Sequence, residues 1–183
     1  AIGDFSRGGK TRAAHPEPAL DHDIAPDEKL VPVGIFEPGH DRLTIFYSTS
    51  IETTDLIVDC LEQWWADNRA RLPQITELIL NLDNGPHVQS RRRQLLKRLI
   101  GFADDTGVAI HLVYYPPYHS KYNPIERCWG ILEAHWNGTL LNSIRKAIEW
   151  TKTMTWNGLN PVVHLVKKVY KQGVTLSDDE MEA

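Results

Sequence analysis

The sequence lacks the patterns of several common protein classes. It has only two cysteines in 183 residues, too few and too far apart for a zinc motif or a disulfide framework, so we expect a reducing, cytoplasmic setting. No apolar run is long enough to cross a bilayer, which excludes a membrane-spanning protein. The first residues contain neither an initiator Met nor a basic-then-apolar signal pattern, so we expect a fragment of a longer protein.

A net positive charge, common in proteins that bind nucleic acids, is also missing. The formal charge is −4, from 20 basic and 24 acidic residues. Four of the acids lie within residues 178–183, and the rest of the chain is balanced. Because a balanced chain can still carry a local basic face, net charge argues neither for nor against DNA binding.

The length and composition are those of one globular domain. A chain of 183 residues can bury one core of good size and would be cramped for two. Hydrophobic residues make up 42% and charged residues 24%, as in ordinary soluble domains. We therefore predict a single domain over residues 1–176 and an acidic mobile tail over residues 177–183.

The first half of the chain predicts a hairpin followed by a helix. Two β-prone runs, 30–36 and 43–47, flank a segment with turn chemistry at 37–41 and predict an antiparallel hairpin. After Thr53, a plausible N-cap, apolar residues recur at helical spacing and predict an amphipathic helix that ends before Pro73.

The second half predicts a parallel strand pair and further helices. Short apolar runs at 77–83 and 108–115 predict buried strands, and the helix between them makes the pair parallel. Asn123-Pro124 opens another helix, and the apolar sets at 140–148 and 162–169 predict two more. Together with the hairpin, these elements predict an α/β fold with a mixed sheet flanked by helices.

Asp83 is the first candidate for chemistry. It ends a predicted strand directly before a turn, and side chains at the carboxyl ends of strands in open α/β sheets face the crevice that holds ligands. Such a position suits a metal ligand. The alternative is that Asp83 only supports its turn, because Asp-Asn-Gly-Pro has strong turn chemistry by itself.

Glu126 is the second candidate. It lies in the first turn of the helix that follows the next strand, so both acids can face the same end of the sheet. The alternative is a capping box, in which the Glu126 side chain returns to the backbone N–H of Asn123. Neighbouring carboxylates repel unless a cation lies between them. Mg²⁺ and Mn²⁺ prefer such oxygen ligands, and a site for two ions generally needs a third acid.

Two longer motifs stand out in the sequence. They are Leu82-Asp83-Asn84-Gly85-Pro86 and the run from Tyr114 through Tyr-Pro-Pro-Tyr-His-Ser-Lys-Tyr-Asn-Pro-Ile-Glu to Gly130. Both resemble a known family, the ISAzo-thirteen-type insertion-sequence DDE transposases, which are RNase H-like recombinases related to mariner-like enzymes. The resemblance implies that Asp83 is the second acid of the triad and Glu126 the third. The first acid would precede Ala1, on a first core strand that is partly or wholly missing. Asp4 is the nearest substitute, and the fragment is expected to be inactive.

The reaction implied by the resemblance is integrase-like DNA recombination. With Mg²⁺ or Mn²⁺, two ions in the complete site, a transposase hydrolyses a phosphodiester at a transposon end and joins the 3′-hydroxyl to target DNA. Its partners would be transposon-end and target DNA, in a homo-oligomeric assembly without a membrane. Two alternatives stay open: a catalytically dead remnant that binds DNA or a protein, and an RNase H-like endonuclease without strand joining.

Further residues are candidates for DNA binding. In the aromatic loop, Tyr118 could stack on a frayed base while His119 or Lys121 meets phosphate. Equally, this proline-stiffened loop could pack its rings on the core. Arg91 and Arg92 open a basic run that could contact phosphate, although charge runs on helices are more often simply solvated.

Overall fold

The computed structural model describes residues 2–4, 6–10, 14–15, 18–20, 26, 28–83, 85–116, 122–174, 176–177 and 181. Its elements, in chain order, are β1 (Val31–Glu37), β2 (Arg42–Ser48), α1 (Thr54–Asn68), β3 (Glu77–Leu82), α2 (Arg93–Thr106), β4 (Ala109–Tyr114), α3 (Pro124–Trp136), α4 (Ile144–Lys152) and β5 (Val162–Val166). The chain forms two compact units. The first unit comprises residues 1–50 and 124–168, and the second comprises residues 51–123 and 169–183.

The first unit is built on a three-stranded sheet in the order β1-β2-β5. β1 and β2 form the predicted antiparallel hairpin, and β5 runs parallel to β2, so the sheet is mixed. Alternate residues of β2 (Leu43, Ile45 and Tyr47) point to one face and form a buried cluster with Cys128 and Leu132 of α3 and with Met154, which follows α4. This cluster is the core that holds α3 and α4 on the sheet.

A buried hydrogen bond also joins the sheet of the first unit to α4. The Tyr47 hydroxyl lies 2.9 Å from Thr151 Oγ1, and Thr151 Oγ1 donates to the Ala147 carbonyl. Burial raises the pKa of Tyr47 to about 12, although the bond to Thr151 and the charge of Arg7 act in the opposite direction. The phenol therefore stays neutral and available as a donor.

The second unit contains the parallel pair β3–β4, in register from Glu77↔Ala109 to Leu82↔Tyr114. Thr53 caps α1, as predicted, because its side chain accepts a hydrogen bond from the Leu56 N–H at 3.1 Å. Gly107 ends α2 in the left-handed conformation, with φ at 71°. A residue with a side chain adopts that conformation at a cost, so glycine favours this helix end.

Three sequence predictions need correction. Residues 162–166 form strand β5, not a helix, because five residues rich in valine pair well with β2 and a short apolar run does not distinguish the two structures. The predicted strands β3 and β4 exist, but each exposes alternate residues instead of being buried, with Ile79 63% and Val113 46% exposed. The apolar pattern from Val88 to Ala103 predicts that Val88 belongs to the face of the helix between these strands, but helix α2 begins at Arg93, after a turn that contains the buried Val88.

The sheet arrangement agrees with only part of the fold prediction. The elements are those of an α/β protein with small sheets and helices, and in the described residues β3 and β4 form a separate two-stranded sheet. The single-domain boundary at residue 176 stays a prediction, and most of the predicted tail lies outside the described residues. None of the helices within the described ranges is both long and apolar enough to cross a membrane.

Candidate active site

Asp83 directly follows β3 and accepts a hydrogen bond within its own turn. The Gly85 N–H donates to Asp83 Oδ1 at 3.1 Å, while the preceding carbonyl, that of Leu82, accepts from the Tyr115 N–H at 3.0 Å. The strand pairing thus extends up to Asp83. Its side chain is exposed and commits one carboxylate oxygen to the turn. Supporting the turn and offering an oxygen ligand are therefore compatible roles for this residue.

The turn after Asp83 is fixed to the start of α1 by one buried hydroxyl. Thr54 Oγ1 donates to the His87 carbonyl at 2.7 Å and accepts a short hydrogen bond from Arg92 Nε. Within the turn, the Val88 N–H donates to the Gly85 carbonyl at 3.1 Å, and the Val88 side chain is buried. Arg92, predicted as a phosphate contact, therefore has a structural bond through its Nε.

Glu126 is positioned by the packing of α3 on β1. Gly34 of β1 has no side chain, and a Cβ atom there would lie 2.5 Å from Trp129 Cζ2 and 2.7 Å from Ile125 Cδ1. The glycine therefore lets the helix approach the strand closely. Glu126 is adjacent to Ile125 in the first turn of α3, with an exposed side chain. The packing of Ile125 and Trp129 on Gly34 thus fixes the distance of α3 from β1 and the rotation of the helix about its axis. These two quantities determine where the Glu126 backbone lies.

An apolar groove begins at Glu126. It has a volume of about 350 Å³ and is lined by Pro32 of β1 and by five residues of α3, namely Glu126, Trp129, Leu132, Glu133 and Trp136. The floor is aromatic and aliphatic, and among the described residues that line the groove the charged ones are Glu126 and Glu133. Sequence reasoning missed this groove, although the recurrence of acid and tryptophan at helical spacing was visible in the sequence.

The basic residues that follow Asp83 in the sequence differ in their contacts. Arg91 is exposed, as a phosphate contact requires. Arg98 instead donates to Asp55 and Asp59 at 2.6 Å each and to Glu62 at 3.0 Å, all on α1. Burial lowers the pKa of Arg98, but these acids outweigh it and raise the pKa overall. Of the aromatic-loop candidates, Tyr118, His119 and Lys121 lie outside the described residues.

The donor set at the two candidate acids suits a hard cation. Asp83 and Glu126 belong to different units, and both present exposed carboxylates, the ligand type that Mg²⁺ and Mn²⁺ prefer. In the part of the chain that the structure describes, no group of three or more His, Cys, Asp or Glu side chains could hold a metal. Each of the two acids, taken by itself, thus has the chemistry of a ligand for such a cation.

Neither cysteine offers competing chemistry. Both thiols are buried, and burial raises the pKa of Cys60 to about 12 and that of Cys128 to about 11. The negative charge of Asp59 adds to the effect at Cys60. Because a thiolate is needed for nucleophilic attack or zinc binding, the two cysteines are inert at neutral pH.

Enzymes that act on phosphodiesters commonly use divalent metals, and exposed carboxylates such as those of Asp83 and Glu126 are ligands of the type that these metals prefer. The family model described as the Rhodopirellula transposase DDE domain matches residues 1–183. The chain belongs to this transposase family, which confirms the resemblance to ISAzo-thirteen-type transposases. No curated protein and no solved structure matches the chain.

Family membership carries general implications for activity. Transposase DDE domains have transposition-related nuclease and transferase activity, bind DNA, and generally use divalent metals. These properties agree with the activity class that was predicted from the motifs around Asp83 and Glu126.

Proposed function

We propose that this protein is the catalytic core of a DNA transposase that cleaves a phosphodiester at a transposon end and transfers the released 3′-hydroxyl to target DNA. The observation that carries the proposal is the family match over residues 1–183, which includes both the strand-end Asp83 and the helix-borne Glu126. Cytoplasmic location, a homo-oligomeric assembly and the identity of the first acid stay predictions.

The proposed roles follow from the chemistry of the side chains. Asp83 and Glu126 would hold Mg²⁺ or Mn²⁺, two ions in the complete site, and such ions would supply activation of the attacking water or 3′-hydroxyl and stabilisation of the leaving oxygen. The protein positions these carboxylates by the hydrogen bond from Gly85 to Asp83 and by the packing of Ile125 and Trp129 on Gly34. No nucleophilic side chain is needed, in agreement with the inert thiols.

The proposed complete fold is RNase H-like. Among the strands that the structure describes, β1 lies at an edge of its sheet and β3 pairs with β4 alone, so each has a side to which another strand could be added. The resemblance predicts one further core strand, upstream of Ala1, that carries the first acid. β3 followed by α2 and the parallel β4 supports this proposal because such a fold contains this unit.

The test measures cleavage and joining of labelled transposon-end DNA in Mn²⁺, with a protein that includes its upstream sequence. We expect Asp83→Asn and Glu126→Gln each to lower both activities by about 100-fold or more, because each removes a charged metal ligand. Electron paramagnetic resonance of Mn²⁺ gives a second readout, in which each variant binds the ion more weakly.

Matched controls are available on the surface of each unit. Asp105→Asn in α2 and Glu149→Gln in α4 remove one exposed carboxylate each, and we expect wild-type cleavage from both. Unchanged activity in Asp83→Asn or Glu126→Gln would refute the site. Cleavage without joining would favour an RNase H-like nuclease, and Mn²⁺-independent DNA binding without cleavage would favour a catalytically dead remnant.

DNA contacts are proposed at Arg91 and, from the sequence alone, at Tyr118, His119 and Lys121. The exposed Arg91 is the better phosphate contact, because Arg92 directs its Nε to Thr54. Replacing one phosphate-binding cation lowers the slope of affinity against salt by about one. Arg91→Met should therefore show this change in filter binding, whereas an unaltered slope would exclude Arg91 as a phosphate contact.

A further inference from the structure

Helix α3 presents two acids and two tryptophans in alternation along one stripe. Glu126, Trp129, Glu133 and Trp136 are spaced by three, four and three residues, which places them above one another on the same helix face. All four line the 350 Å³ groove. Both tryptophans are partly buried against the core of the first unit, whereas the two acids that alternate with them are exposed. The groove therefore offers carboxylate oxygens beside aromatic rings, which suits a ligand that is both flat and a hydrogen-bond donor.

Two residues of the groove floor, Trp129 and Leu132, are closely packed. Trp129 is seated on Gly34, where a Cβ atom would clash with its ring at 2.5 and 2.7 Å, and Leu132 beside it is 2% exposed. Pro32 of β1 forms the opposite lining and has no backbone N–H. Such a floor is suited to a flat ring that stacks or slides onto it, because little side-chain freedom is lost on binding.

The charged side chains at the groove determine which kind of planar ring it favours as a ligand. The carboxylates of Glu126 and Glu133 are acceptors only, so they favour ligand edges that donate hydrogen bonds and repel phosphate. At the other end of the stripe, the Arg7 guanidinium lies over the Trp136 ring, 5.4 Å from its centroid. The groove thus combines an apolar floor with acceptors at Glu126 and Glu133, and Arg7, which is not among its lining residues, lies on the Trp136 ring.

We propose that this groove binds one unstacked nucleobase with an exocyclic amino group, namely adenine, cytosine or guanine, from the DNA strand that reaches Glu126. The amino group donates to Glu133, the ring lies on Trp129, and the adjoining backbone runs toward Arg7. A groove of this volume admits a single planar heterocycle. The inference rests on the proposed function and adds a base preference to it.

The test follows binding of nucleosides, which carry no phosphate, in the presence of EDTA. The protein is labelled with 5-fluorotryptophan, and the fluorine resonances of Trp129 and Trp136 are assigned by Trp→Phe variants. We expect saturable shifts of both resonances with deoxyadenosine, and binding weaker by about fivefold with thymidine, which has no amino group.

The variant Glu133→Gln tests whether the Glu133 carboxylate recognises the amino group of the base. Glu133 is exposed, so we expect the variant to keep the fold. Its amide both accepts and donates, so the preference for deoxyadenosine over thymidine should fall to about twofold or less. Glu149→Gln, an equally conservative change on α4, should keep the full preference. Loss of the preference in both variants, or in neither, would overturn the proposal.

The remaining outcomes are also decisive. Absence of saturable shifts, or equal binding of thymidine and deoxyadenosine, would refute a base-binding groove. Shifts that disappear when the upstream sequence is present would show that the chain itself fills the groove, which would likewise refute it. Because EDTA removes the metals, a protein that binds deoxyadenosine but never cleaves DNA would contradict the proposed function alone.

Discussion

The two candidate acids are held by different physical means. Glu126 lies on a helix whose position depends on apolar contact between distant parts of the chain, because Ile125 and Trp129 pack on Gly34. Asp83 lies in a turn that is held by hydrogen bonds from Gly85 and from the Thr54 hydroxyl to His87. Side-chain packing therefore positions one acid, and polar bonds of a short turn position the other.

This difference predicts different responses to mutation. Packed side chains transmit a displacement to everything on the same helix, because protein interiors are dense and yield little. A hydrogen-bonded turn can loosen locally while the elements on either side persist. Damage near Gly34 should therefore affect the whole first unit, whereas damage near Thr54 should be concentrated in the turn after Asp83.

Gly34→Ala is expected to have the largest effect. The added methyl group would overlap the Trp129 ring and Ile125, neither of which is the end of a long flexible side chain. We expect the free energy of unfolding to fall by up to about 3 kcal/mol, measured by urea denaturation. Gly39→Ala, where the new atom would meet nothing within 4 Å, should change stability by less than about 0.5 kcal/mol. Equal stabilities of the two variants would contradict the packing of α3 on β1.

Thr54→Val is expected to have the second-largest effect, and it tests the turn after Asp83. The valine keeps the shape of threonine but leaves the His87 carbonyl and Arg92 Nε without the hydroxyl that joins them. We expect a loss of about 1–2 kcal/mol, together with faster hydrogen exchange at the Val88 amide. Thr54→Ser keeps the hydroxyl and should keep Val88 protected. If exchange rises equally throughout α1 and α2, the turn is not an independent local unit.

Arg98→Met should have a smaller effect, confined to the second unit. Arg98 is 25% exposed and faces three carboxylates, so its loss removes favourable pairing and leaves acids that repel one another. Because the groups are partly solvated, we expect about 1 kcal/mol of destabilisation. The difference from wild type should shrink as salt rises from 0.05 to about 1 M. Arg91→Met is the control, and a salt-independent loss would show that packing of the Arg98 stem matters more than its charge.

Local signals in the sequence identified much of this structure. The turn residues between β1 and β2 predicted the hairpin, and Thr53 predicted the start of α1. Asp-Asn-Gly-Pro predicted the turn at Asp83, where the Gly85 hydrogen bond is found. Each of these features depends on residues that are close together in the sequence, which is why sequence reasoning reached them.

Features that depend on distant partners were missed. Residues 162–166 form a strand because β2 lies beside them, and their apolar pattern alone fits a helix equally well. From the sequence, Arg98 is predicted to be a solvated member of a basic run. In the structure it instead contacts Asp55, Asp59 and Glu62, which lie on α1. The groove at Glu126 likewise needs Pro32 and α3 together, although Gly34 within a strand was a signal of close approach.

The smallest predicted effect is that of replacing a helical glycine by alanine. This substitution can be made once in each unit and the two results compared. Gly101 in α2 and Gly130 in α3 are helical glycines at which an added Cβ would meet nothing within 4 Å. Alanine restricts the unfolded chain and favours the helix, so each variant should gain about 0.5–1 kcal/mol in free energy of unfolding. Urea denaturation of both variants measures the gains. A gain at Gly101→Ala with a loss at Gly130→Ala would mean that another surface covers this side of α3, so its exposed face would then have to be assigned to a partner instead of solvent.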